Sequence, residues 1–246
     1  QNSALLQLSQ QTVQLALQAP GTNGAFKCIA VPAPGGKSTV WAAGDGAGSS
    51  TEKGFLGYDM SWTGYWLLRW HMAKLPGHEK VLPRCHKLAG FFLERQTTNG
   101  MLPTRFNEDG SVQVETSRTV KAETGPVVLF LLQLCEQETK PEYLAAARRA
   151  LGFLEREVIP LRQWYDYETF WSCSPRSPRF DGRTHQWPAN NLALAQTVAA
   201  YLLAFRLTGE RHYLEKGEAL LDYLLLYQQC WTNPALENLS SRTMLL

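Results

Sequence analysis

Apolar positions recur at helical spacing over most of this chain, and the interruptions are short and legible. Leu5, Leu8, Val13 and Leu17 predict a helix over 3–18, which Pro20-Gly21 stops. From Asp59 the run DMSWTGYWLLRWHMAKL predicts a second helix, broken by Pro76-Gly77. Further helices are expected over 79–96, from Thr124 with Pro126 in its first turn, over 142–158, over 190–207 and over 211–231. Phe26 to Val31 suits a short strand, and Gly35-Gly36 and the Gly44–Gly48 cluster mark connections. That cluster lacks the strand, spacing and Lys of a phosphate loop.

The helices repeat. Phe92-Leu93-Glu94-Arg95 and Phe153-Leu154-Glu155-Arg156 lie 61 positions apart, and so do Thr63-Gly64 and Thr124-Gly125. Thr22-Asn23-Gly24 returns as Thr98-Asn99-Gly100, each time just after a helix. The first helix therefore reads as the second half of a hairpin. Links within hairpins are a few residues long, whereas links between hairpins are long. Stacked antiparallel hairpins put all the long links at one end, as helical repeat folds do when they build a binding face. That end is expected to collect Asp45, Asp59, Trp62, Arg105, Glu115, Asp166, Glu168, Trp171, His185 and Trp187. The predicted fold class is all-α, in one domain over residues 1–246.

Leu161 to Pro188 carries the densest chemistry: three Trp, two Tyr, two Phe, three acids, four Arg and His185. Disordered segments are poor in aromatics, so this long link is expected to line a binding surface. Asp166 and Glu168, one residue apart, would point to the same side of an extended backbone, roughly 6.6 Å apart along it. Glycoside hydrolysis, which the family resemblance given below implies, needs two carboxyls about 5–9.5 Å apart on either side of the scissile bond. One acid from each of two links suits that better, so Asp59 with Asp166 or Glu168 is the expected catalytic pair. The structural alternative is helix capping, or pairing with Arg162, Arg176 and Arg179. Trp62, Trp164, Trp171 and Trp187 are candidate stacking platforms for a sugar ring, while Trp66 and Trp70 are expected in the core. Arg105 is a candidate for bidentate capture of a sugar carboxylate. His185 is a candidate polar contact or base.

Composition limits the partners. With 24 basic and 22 acidic residues the net charge is +2, which argues against nucleic acid. No apolar run reaches membrane-spanning length. The five cysteines show no zinc or redox spacing, and no cofactor or metal is expected; Cys85 and Cys135 are read as packing residues. Asn238-Leu239-Ser240 matches a glycosylation acceptor. A chain that begins at Gln1 is expected to have been processed or trimmed, and removal of a secretory signal would make it secreted or periplasmic. A cytoplasmic location stays open.

Hairpins of about 60 residues, the loop NGMLPTRFNEDG after a helix, and aromatic acidic links at one end resemble the six-hairpin (α/α) toroid enzymes. The resemblance spans most of residues 50–231. It implies antiparallel hairpins arranged as a toroid or partial toroid and a carbohydrate substrate, with glycoside hydrolase activity first. Polysaccharide lyase activity with a His or Tyr base, and a non-catalytic helical-repeat scaffold, are the alternatives. Seven helices fall short of six hairpins, so a fragment of a longer toroid or a shorter open arc is expected. In either case further chain or a partner would cover the end near Leu246.

Overall fold

The computed structural model describes residues 3–33, 39–42, 54–138, 140–165 and 191–226. Helices dominate: α1 (Ser3–Gln18), α2 (Gly57–Met72), α3 (Val81–Arg95), α4 (Val114–Thr119), α5 (Thr124–Gln137), α6 (Pro141–Glu157), α7 (Asn191–Thr208) and α8 (Arg211–Leu225). The fold class is all-α. Among the described residues six short strands form antiparallel pairs: β1 (Gly21–Thr22) with β2 (Ala25–Phe26) and β3 (Ile29–Pro32) with β4 (Thr39–Ala42) close in sequence, and β5 (Phe55–Leu56) with β6 (Arg105–Phe106) across α2 and α3. Among the described residues no helix is long and apolar enough to cross a membrane.

The element boundaries follow local chemistry. Pro141 opens α6 at a position where its missing N–H costs nothing. Gly77, at φ 78°, turns the chain between α2 and α3. The strand expected over Phe26–Val31 is split in two. Lys27 interrupts it, because its N–H donates to the Pro20 carbonyl at 3.0 Å and its ammonium to the Gly54 carbonyl at 2.6 Å. The connection after α3 holds a helix the apolar pattern did not predict: α4 has one buried residue, Ser117, and so no apolar stripe to read.

Helices α2, α5 and α7 form one layer, and α3, α6 and α8 pack behind them. Helix α5 is buried from Thr124 to Cys135, as a helix that is apolar all round must be. It lies between α2 and α7. Gly64 of α2 abuts the Phe130 ring, and Gly125 abuts Thr197 of α7. Met72 meets Gln133, and Arg206 pairs with Glu136 at 2.9 Å, so α2, α5 and α7 run parallel. Within a hairpin the helices run antiparallel: Lys121, just before α5, reaches Glu157 at the end of α6. The three first turns of the front layer therefore share one end. The connections 19–56, 96–123 and 158–190 return the chain to that end, while short turns serve the other. One apolar cluster joins the layers, from Ala19 through Leu220.

The Thr-Asn-Gly repeat has a structural counterpart. Gly24 (φ 101°) lies against the Lys87 carbonyl of α3, where an added Cβ would sit 2.1 Å from the oxygen. Gly100 (φ 98°) lies against the Arg149 carbonyl of α6, at 2.3 Å by the same measure. Each turn docks the end of one back-layer helix on the next, so α1 takes the place of a back-layer helix. The Thr-Gly match, by contrast, does not superpose. Thr63-Gly64 lies midway along α2, whereas Thr124-Gly125 opens α5. Both glycines permit close helix packing, but on different turns.

Candidate functional site

The first end of the front layer begins where the connection 96–123 crosses it. The Gly57 N–H donates to the Thr104 carbonyl at 2.7 Å, and the Thr124 hydroxyl to the Leu102 carbonyl at 3.2 Å. These bonds tie the starts of α2 and α5 to one short segment. Asp59 follows in the first turn of α2, where a carboxylate complements the helix dipole.

Asp59 is half-buried and opens a stripe that leaves the core. One and two turns on come Trp62 and Trp66, with Tyr65 alongside. The Trp62 and Tyr65 rings are stacked 5.1 Å apart at 7°, and Trp66 stands edge-on to both at 5.5 Å. Trp66 was expected in the core and is instead 56% exposed. Trp70 is buried as expected, its indole N–H donating to the Pro76 carbonyl at 3.1 Å. Trp66 lies opposite the face of α2 that carries Gly64, Leu67 and Leu68, whereas Trp70, one turn on along the same stripe, is covered by the turn that carries Pro76.

Two expected binding residues are enclosed. Arg105 is 2% exposed and donates to Glu123 at 2.6 Å, a carboxylate that is itself fully buried. Its guanidinium also bonds the Thr104 carbonyl at 3.0 Å. With those partners inside the protein, Arg105 presents no fork to a sugar carboxylate. Trp164 is 1% exposed and belongs to the core cluster, so neither face of its indole meets solvent. Glu115, also placed at this end, makes an exposed pair with Arg118 at 2.9 Å. Asp45, Asp166, Glu168, Trp171, His185 and Trp187 lie outside the described residues, as do Cys173, Cys230 and Asn238. The separation of Asp59 from Asp166 or Glu168 falls outside them too.

Two polar groups at this end escaped the sequence reading. Burial pushes the Glu123 carboxyl above its ordinary value, against the opposing pull of Arg105 and the Thr104 hydroxyl. Gln196, within two turns of the start of α7, is 4% exposed, and neither its amide oxygen nor its nitrogen has a hydrogen-bond partner among the described residues. No sequence signal marks either one. Glu123 stands beside an apolar helix as a capping acid would, and Gln196 interrupts an alanine- and leucine-rich run.

Burial disfavours the thiolate form of each described cysteine. Burial, reinforced by the Asp59 carboxylate, holds the Cys28 thiol well above its ordinary value. Burial raises Cys85 to about 12 and Cys135 to about 11. No group of three metal-ligating side chains gathers among the described residues. No known family, characterised protein or solved structure matches the chain.

Proposed function

We propose that this chain is a carbohydrate-active enzyme on an (α/α) toroid or partial toroid, a glycoside hydrolase that cleaves an oligosaccharide by carboxylate acid–base catalysis. The α2 stripe carries the reading. It carries a carboxylate in the first turn, at the end that receives the long connections, and an aromatic trio one to two turns on toward the middle of the helix, where Trp66 is exposed and Trp62 and Tyr65 pack partly against the core. A sugar ring offers an apolar C–H face that packs on indole, while its hydroxyls require polar partners. Trp66 supplies an exposed ring, Trp62 and Tyr65 buttress it, and Asp59 supplies one of the two carboxyls that hydrolysis requires. The second is expected from Asp166 or Glu168. Arg105 and Trp164 leave the proposed site, and Trp66 enters it.

The test is a panel of polysaccharides and oligosaccharides incubated with purified protein, following reducing ends and near-ultraviolet absorbance together. Reducing ends without absorbance are expected. Asp59→Asn should cut turnover by about a hundredfold or more, the lower range for losing acid–base help, with the fold intact because the residue is half-buried and keeps its shape. Absorbing products would mean eliminative cleavage and overturn the hydrolase assignment. Full turnover in Asp59→Asn would remove Asp59 from the chemistry.

A further inference from the structure

A cleft of about 530 Å³ lies between α1 and α3, away from the α2 stripe. Lys80, Arg84 and Lys87 line one side of it, and Gln14 and Gln18 the other. The three cations stand at i, i+4 and i+7 along one helical face, which spans about 10 Å at 1.5 Å per residue. Among the described residues no carboxylate lines the cleft. Helix α1 contains no charged residue, and the one acid within α3, Glu94, pairs with Arg95 at 3.1 Å. Glu79 adjoins Lys80 in sequence but does not line the cleft. Neither lysine has an ion-pair partner among the described residues.

Arg84 is held in place. Its guanidinium donates to the Ala19 carbonyl at 2.8 Å and lies 4.4 Å over the Phe26 ring. A positive charge fixed in this way loses little rotamer freedom when an anion arrives. Like charges at i, i+4 spacing destabilise a helix, and an anion between them reverses that cost. The glutamine amides opposite add N–H donors, and the volume suits a ligand of several rings or several charged groups.

From this arrangement we infer that the α1–α3 cleft is an anion-binding site for a ligand bearing two or three negative groups: carboxylate, sulfate or phosphate. It shares no residue with the proposed hydrolytic site and stands whether or not that assignment holds. The test is calorimetric titration of the intact protein at low salt with a tri-uronate, a sulfated disaccharide and tripolyphosphate. At least one should bind, weakening as salt rises, and the anion preferred identifies the source chemistry. Lys80→Gln/Lys87→Gln should weaken that binding about threefold or more, since exposed charges each contribute only modestly. The control Lys74→Gln/Arg118→Gln removes the same net charge elsewhere and should leave affinity within about twofold. Absence of binding by all three probes, or equal weakening in the two double variants, would overturn the inference. Both lysines are exposed, so the variants are expected to fold.

Discussion

Arg105→Met is the most informative perturbation of the fold. The variant leaves the Glu123 carboxyl fully buried without the guanidinium that lies 2.6 Å from it. Removing one partner of a buried pair typically costs about 3–5 kcal/mol, because the remaining charge keeps its desolvation penalty. For a chain of this size each kcal/mol lowers Tm by about 2–4 °C, so a drop of roughly 6–20 °C is expected near pH 7. The cost should depend on pH. The folded pKa of Glu123 lies above the unfolded one, about 4.3, because burial outweighs Arg105 and Thr104. A group shifted upward contributes its full stability below the unfolded value and loses it as pH rises through the folded value. Without Arg105 the folded value climbs further and extends that loss to higher pH. The difference between Arg105→Met and wild type should therefore be smallest near about pH 4. It should grow toward neutrality by at most about 1.4 kcal/mol per pH unit. Arg105→Met/Glu123→Leu should recover much of the loss, since an apolar replacement leaves no charge in the core. Calorimetric Tm values at several pH values measure all three quantities. A penalty under about 1 kcal/mol, or one independent of pH, would refute the argument.

Gly100→Ala should destabilise by at least about 3 kcal/mol, combining a strained positive φ with overlap on the Arg149 carbonyl. Gly77→Ala, at positive φ but facing open space, should cost only about 1 kcal/mol; chemical denaturation of both separates the two effects. Gln196→Leu should raise stability by about 1–3 kcal/mol by removing a buried amide that lacks partners among the described residues. Trp70→Ala should cost about 3–5 kcal/mol in thermal unfolding. Trp66→Ala should stay within about 1 kcal/mol while raising KM for an oligosaccharide substrate.

By itself the sequence determined where helices form. Helix α1 and the start of α5 fall on the expected residues, and α6 and α7 lie within a residue or so of them, because apolar period, Pro and Gly act locally. The alternation of short and long links and the Thr-Asn-Gly turn were legible for the same reason. The turn needs a glycine at positive φ where α1 docks on α3 and where α3 docks on α6. What only the tertiary structure decided is which side of each helix meets a neighbour. Trp66 and Trp70 share one helical stripe in sequence, yet only Trp70 lies under the turn that carries Pro76, so one indole is exposed and the other enclosed. Arg105 reads as a free cation until Glu123, eighteen positions on, is folded against it. Trp164 reads as a platform until the core closes over it. The cationic cleft depends in the same way on an uncharged helix from the start of the chain lying beside Lys80, Arg84 and Lys87. Periodicity fixes a side chain's azimuth on its own helix; what covers that azimuth comes from residues far away in the chain.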